Sequence, residues 1–377
     1  MADKISGFCA PGLEGVREAF RENFASRGEV GAAVCIIHRG DVVVDLVGGW
    51  ADPIERVAWT PDTLVDIYSA GKAIIALAAL RQVDQGLIGL DDALASLWPE
   101  YAVAEKGATT VRQALSHLAG VPAVRERLRD VDLLDWERMT SALAATSPWA
   151  PPGDRVMYHT NTYGHLIGEI VRRCTGHLPG VEIASFASVV QADVHVGLSP
   201  ADQLRCARVD FASSVDPHTI DLDALDGDAQ MVALSYFNPP GYSSIGLVNT
   251  RQWRSAQVPS TNGHATAAGL ARIYQGLLGP GLLLSEELLA EAVRPQSAGL
   301  CPVLGEEVVF GLGFVPTSKR RRMGTSSTSF GHFGTGGALG FADPEHQIAF
   351  GYVMNHVIPR WQSTRNRALI DALYAEI

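Results

Sequence analysis

Ser69 and Lys72 stand three residues apart in "DIYSAGKAIIALAALRQVDQGL", Asp66 to Leu87, and Lys72 is one of only four lysines in a chain of 377 residues. The alanine-rich run that follows has helical spacing, which sets the two side chains on one face with Cβ atoms about 5 to 6 Å apart. A serine hydroxyl is a weak nucleophile until a base takes its proton. A lysine amine can be that base when burial lowers its pKa. Ala70, Ala73, Ile74 and Ile75 offer such burial, and the positive end of the helix favours the neutral amine. The plain alternative is an N-cap serine beside a solvated charge, and four lysines give one such spacing by chance in about one chain in four. Placement favours chemistry: the lysine opens an almost charge-free helix directly after the aromatic and apolar approach "WTPDTLVDIYS".

Other elements must hold this pair. "GLEGVREAFRENFASRG" predicts a helix ending at Gly28, and "GAAVCIIHRGDVVVDLVGGW" two strands joined by a tight Arg-Gly-Asp turn. Asp91 and Asp92 read as the start of another helix, and the pattern from about Asp91 to Thr175 is mainly helical. "SPWAPPGDRVMYH" is a Pro/Gly loop that delivers Tyr158 to a helix start. Residues 176–260 mix a short strand-like "ADVHVGL" with Pro- and Asp-rich loops and give no firm pattern. Helices return at "ATAAGLARIYQGLL" and "SEELLAEAV", then the strand-like "VVFGLGFV", "SFGHFG", "GALGFADP" and "QIAFGYVMN", and a final helix "TRNRALIDALYAEI". Strands early and late around a helical block predict an α+β fold, one antiparallel sheet built from both ends of the chain. The expected division is an α/β domain of residues 1–90 and 240–377 with a mainly helical domain of 91–239 inserted.

Composition narrows the function. At 47% hydrophobic with 38 glycines, the chain has the profile of a globular enzyme, and its net charge of −11 opposes nucleic-acid binding. The local exception, "KRRR" from Lys319 to Arg322, reads as a solvated loop, with a patch for an anionic substrate or partner as the alternative. Cys9, Cys35, Cys174, Cys206 and Cys301 lack metal or disulfide spacing and read as reduced thiols. His117 reads as the end of a helix, satisfying a nearby carbonyl; His159, His165 and His177 lack a paired ligand pattern, so neither metal nor cofactor is expected. The start "MADKISGFCAPGLEG" lacks the marks of a signal peptide and no run is long enough to span a membrane, which makes a cytoplasmic address the expectation.

"SAGK" at Ser69, "YHTNTYGHLIGE" at Tyr158 and "GHFGTGGALGFADP" at His332 come in the order and rough spacing of the three motifs of serine β-lactamase-like enzymes. The sequence most resembles the family VIII carboxylesterases, over most of its length. The resemblance implies a β-lactamase/penicillin-binding-protein-like fold, Ser69 as acyl-carrying nucleophile, and Lys72 as base, alone or with Tyr158. It also implies an oxyanion hole from the backbone N–H groups of Ser69 and of Thr335, on the strand after Gly334. Two departures matter. Class C β-lactamases carry Tyr-x-Asn, whereas here the asparagine falls one place later, at Asn161. Their cationic Lys-Thr-Gly is replaced by His332-Phe333-Gly334, and a neutral imidazole grips a carboxylate poorly. Uncharged small-molecule esters are therefore the expected substrates; the resemblance implies short to medium acyl chains, and Tyr68, Phe333 and Trp361 are candidate pocket walls. Glycines 334, 336 and 337 would permit close approach of the strand to the acyl carbonyl, or form a bulge or turn.

An α/β-hydrolase mechanism would need G-x-S-x-G, which no serine here satisfies; "GYSSIG" has one residue too many. Transfer of the acyl group to an alcohol or amine, weak β-lactam hydrolysis, and a slowly acylating binding or sensing module remain the alternatives to ester hydrolysis.

Overall fold

The structure, a computed structural model, describes residues 5–359 and 363–377. Trp361, one of the expected pocket residues, lies outside the described residues. The principal sheet is antiparallel and runs Ser6–Cys9, Asp41–Asp52, Gly31–His38, Ile348–Met354, Leu339–Asp343, Phe330–Phe333 and Val315–Pro316, with Val57–Ala58 paired to the outer end of Asp41–Asp52. Its central seam joins the two ends of the chain: Ala32 pairs with Met354 and His38 with Ile348. The sheet from both ends of the chain is thus present as expected.

Gly31–His38 is a near-continuous apolar run, "GAAVCIIH", because seven of its eight residues are buried. The Arg39–Gly40 turn that leads out of it takes positive φ at both residues, 55° and 89°, the conformation a two-residue hairpin requires. One face is covered by the helix Ala267–Leu278. A Cβ at Gly351 would meet the Ala267 carbonyl at 2.2 Å, so helix and strand approach this closely only over glycine. The terminal helices Glu14–Ser26 and Thr364–Glu376 pack on each other, and Phe24 of the first lies against Gly48 of the sheet.

Gly71–Asp84 is the buried axis of the molecule. Eleven of its fourteen residues are buried, which matches an alanine- and isoleucine-rich sequence with no polar face. It packs against the helix Thr162–Thr175, and a further helix, Trp136–Ala145, flanks the latter.

The expected helix at Asp91 does not form. Only the short 3-10 turns Leu94–Ser96 and Pro99–Ala102 appear, because the Leu90 and Asp92 carbonyls accept from Arg112 and Val111 and Ala93 bridges to Thr110. These bonds tie the segment to the next one and leave no ladder of its own. Residues 176–260 contain the helices Pro179–Val189 and Gly227–Phe237 and a short strand, Val194–Val196, in a small sheet with Gly263–Ala265 and Val65–Asp66. No helix among the described residues is long and apolar enough to cross a membrane.

Candidate active site

The segment that carries Ser69 is wound tightly before its helix begins. Val65–Asp66 is a two-residue strand, Tyr68–Ala70 a 3-10 turn, and the α-helix starts at Gly71. Tyr68, directly before Ser69, has φ +50°, a left-handed conformation costly for a bulky residue. Asp66 holds it there: its Oδ1 accepts from the Tyr68 N–H at 2.8 Å, and its Oδ2 accepts from Trp253 Nε1 at 3.3 Å. Burial pushes the Asp66 carboxyl up to about 8. Sequence reading missed Asp66, whose only signal was an acid in an otherwise apolar approach.

Lys72 Nζ donates to Ser69 Oγ at 2.8 Å and to the Ser260 carbonyl at 3.4 Å, and sits 4.9 Å from the centroid of the Tyr158 ring. The lysine has no exposed surface, and burial drives its ammonium well below the ordinary lysine range. Ser260 belongs to a turn wired by Asn262, which accepts from the Val258 N–H and donates to the Trp253 and Ala256 carbonyls. A backbone carbonyl has no signature in a residue list, so this contact was invisible to sequence analysis.

Tyr158 shares a cavity with Ser69, and burial, partly offset by the Ser69 hydroxyl, raises its phenol above the ordinary tyrosine range. It sits in a segment without regular secondary structure ahead of the helix Thr162–Thr175, not at the helix start itself. Its ring stacks on Phe310 at 5.7 Å, and its N–H is 3.2 Å from Cys301 Sγ. His117 and His159 support this segment. The His159 N–H donates to His117 Nδ1 at 3.1 Å, while His159 itself pairs with the Met157 carbonyl and the Val121 N–H. His117 thus accepts from an amide instead of satisfying a carbonyl, and it stands beyond the short helix Val111–Leu115 with φ +64°. Burial keeps both imidazoles neutral, His159 at about 4.

Asn161 occupies the N-cap position of Thr162–Thr175 without capping it. Its Nδ2 donates to the Ser235 carbonyl at 2.9 Å and to Ser243 Oγ at 3.0 Å, and its Oδ1 accepts from Thr261 at 2.9 Å. Both ends of the amide are engaged by the protein, so Asn161 builds the wall. Thr160, two places after Tyr158, lines the cavity on both sides of Ser69.

From the other side comes Phe330–Phe333. His332 Nδ1 pairs with the Phe333 carbonyl at 2.8 Å, and burial with nearby positive charge lowers the imidazole to about 3, a neutral ring throughout the physiological range. Gly334 lies against the segment that leads to Ser69, since a Cβ there would meet the Ile67 carbonyl at 2.2 Å. Thr335 is not on a strand, as expected from sequence, but opens a 3-10 turn, Thr335–Gly337, in which Gly336 and Gly337 take φ of 85° and 111°. The Tyr68 N–H is taken by Asp66, whereas those of Ser69 and Thr335 lie in first turns, where a helix offers no internal acceptor.

Two compartments meet at Ser69, sharing Thr160, Tyr236 and Thr335. The smaller, about 80 Å³, holds Tyr158, His332, Phe333 and Phe310. The larger, about 350 Å³, is walled by Tyr68, Phe211, Val215, Phe237, Ile245 and Val357. Lys319, Arg320 and Arg322 of the basic run are exposed, as expected of a solvated loop, and Arg321 alone departs from that expectation. Arg321 is buried, pairs with Glu306 and lines the smaller compartment, while Arg320 reaches the same glutamate at 2.7 Å. Among the described residues no group of three or more His, Cys, Asp or Glu is arranged to hold a metal ion.

Comparison with known proteins places this geometry. The chain is 30% identical over 369 residues to the Esterase/beta-lactamase LipL of Mycobacterium tuberculosis (strain ATCC 25618 / H37Rv), covering 94% of this chain and 84% of that one. It is similar to the crystal structure of a family VIII carboxylesterase, with a TM-score of 0.91 and 33% identity over 99% of this chain and 100% of the other. A penicillin-binding protein homolog from Caulobacter crescentus gives a TM-score of 0.89 and 34% identity over 99% and 100%. The family model described as Beta-lactamase matches residues 16–375, nearly the whole described length, and the chain belongs to that family.

Proposed function

We propose that this protein hydrolyses carboxylic esters through an acyl-enzyme on Ser69. At the level of its family it is a serine hydrolase of the carboxylesterase type. The observation that carries the mechanism is Lys72: wholly buried, its pKa driven well below the ordinary lysine range by desolvation, and 2.8 Å from the Ser69 hydroxyl. Ser69 Oγ adds to the acyl carbonyl as its proton passes to Lys72 Nζ. The carbonyl oxygen becomes an oxyanion facing the N–H groups of Ser69 and Thr335. Collapse breaks the ester C–O bond, and the alkoxide takes a proton from Lys72 through Tyr158. A water then repeats the sequence and releases the acid. Tyr158 acts as a phenol that relays protons, because burial makes its phenolate too costly to be the resting base.

The compartments divide the substrate. Tyr158 lines only the smaller one, so the leaving alcohol lies there, and the acyl group takes the larger apolar one. Its volume supports short to medium acyl chains. Neutral His332 offers a carboxylate little, which favours uncharged esters. Weak β-lactam hydrolysis is the second reading, favoured by the esterase/beta-lactamase name of LipL. The cysteines are free thiols, in keeping with a cytoplasmic location.

The test pairs p-nitrophenyl acetate, butyrate and octanoate with a chromogenic cephalosporin on wild type and Ser69→Ala. Ester turnover that falls by roughly 10⁴-fold or more in Ser69→Ala is the expected result. Full turnover in that variant would remove Ser69 from the mechanism. Stoichiometric acylation without turnover in wild type would instead point to a binding or sensing module, and product formation that accelerates with added alcohol to an acyltransferase.

A further inference from the structure

The Thr335–Gly337 turn poses a mechanical problem. An oxyanion donor has to be held within tenths of an ångström, yet two of the three residues here are glycines with φ in the left-handed region, which add freedom. The sheet does not hold the turn, since its strand ends at Phe333. Inside, the Gly337 N–H donates to the Gly334 carbonyl at 3.1 Å and the Gly334 N–H to the Ala338 carbonyl at 2.7 Å.

From behind, the first turn of the C-terminal helix Thr364–Glu376 grips the two outward carbonyls. Arg365 Nη2 donates to the Gly336 carbonyl at 2.7 Å and the His356 carbonyl at 3.0 Å, and Asn366 Nδ2 donates to the Gly337 carbonyl at 2.9 Å. Arg365 has no exposed surface, and its Nη1 meets the equally buried Glu29 at 2.8 Å. Glu29 is fixed in turn by Tyr352 on the central seam, and its N–H by the Asn23 carbonyl.

A buried Arg–Glu pair adds little net stability over a well-packed apolar pair, because the desolvation cost cancels much of the attraction. What an apolar pair could not do is present a rigid, forked donor to a carbonyl one residue past Thr335. We propose that Arg365, anchored by Glu29, and Asn366 are positioning residues that aim the Thr335 N–H at the substrate oxyanion. They touch neither substrate nor Ser69, and the inference rests on the reading of Thr335 as an oxyanion donor.

The experiment measures p-nitrophenyl butyrate kinetics and the affinity of butylboronic acid, whose boron adds to Ser69 as a tetrahedral anion. Variants are Glu29→Gln/Arg365→Met, which removes both charges together, Arg365→Lys, and Asn366→Ala, which keeps the ion pair intact. A positioning role predicts that kcat falls about tenfold to a hundredfold in the double variant and about threefold to tenfold in Asn366→Ala. Arg365→Lys falls between wild type and the double variant. Boronate affinity weakens by the same factors while KM stays within about twofold. A purely structural role would lower the melting temperature without this split. Folded variants that keep both kcat and boronate affinity within about twofold of wild type would overturn the inference and leave the esterase reading intact. Ester turnover that survives Ser69→Ala, or a wild type to which boronate does not bind, would overturn the underlying reading and the inference with it.

Discussion

Among the described residues two lysines are buried, and they differ in what they face. Lys72 points at a hydroxyl, Ser69 Oγ, which can give a proton back. Lys106 donates to the Ala144 carbonyl at 2.7 Å and the Val103 carbonyl at 3.2 Å, and lies 4.6 Å from the centroid of the Tyr101 ring. Lys72 also has a carbonyl, that of Ser260, and a ring, that of Tyr158, beside it, but carbonyls accept protons and never supply them, so the hydroxyl is what Lys106 lacks. Burial lowers Lys106 only to about 8, so it stays charged at neutral pH and serves as a brace. Burial therefore does not by itself make a base; the partner decides whether a buried amine does chemistry.

The contrast is broken most directly by removing each amine in turn. Lys72→Met should lower kcat/KM for p-nitrophenyl butyrate by roughly 10³-fold or more while the melting temperature holds or rises, since the folded state no longer has to strip a proton from a buried amine. Lys106→Met should keep kcat/KM within about threefold and lower the melting temperature, because two carbonyls lose their donor, at about 1 to 3 kcal/mol. Equal activity losses in the two variants would erase the distinction.

A second, smaller effect is in the pH profile. The base form of Lys72 is the one present above its depressed pKa, so kcat/KM should fall on the acid side as the amine takes a proton, by about tenfold per pH unit at the limit. Lys106→Met should leave that limb in place. His332, neutral above about 3, adds no limb of its own in the working range.

The smallest effect concerns Asp66, a buried acid whose partners are N–H donors. Its folded-state pKa of about 8 is above the ordinary 3.8, so between about pH 4 and pH 8 the folded form holds a proton that the unfolded chain has lost. Stability then falls as pH rises through this window. Asp66→Asn should flatten that slope in urea titrations at pH 5, 6.5 and 8; an unchanged slope would show that Asp66 is ionised in the fold.

How far the sequence carried depends on the distance over which each feature is built. Ser69 and Lys72 were legible because one helix turn sets their spacing, and His332-Phe333-Gly334 because a strand presents it. The central seam was legible from apolar runs at both ends of the chain. Arg321 was not: only the return of its loop against Glu306 and Phe310 turns a basic run into a cavity wall. The bonds of Asn161 were equally hidden, because its partners come from Ser235, Ser243 and Thr261, and nothing local tells a cap asparagine from a wall asparagine. The false helix at Asp91 failed for the converse reason, with a plausible local start overridden because the Asp92 and Leu90 carbonyls accept from the Val111 and Arg112 N–H groups.

The seam that pairs Ala32 with Met354 also sets the order of assembly on the ribosome. Ser69 and Lys72 are synthesised well before the turn that faces them and the helix Thr364–Glu376 that grips it. Closing a contact between strands so far apart in sequence is slow, because the whole intervening loop must be ordered first. A nascent chain thus carries Ser69 and Lys72 long before it carries the turn proposed to complete the oxyanion site.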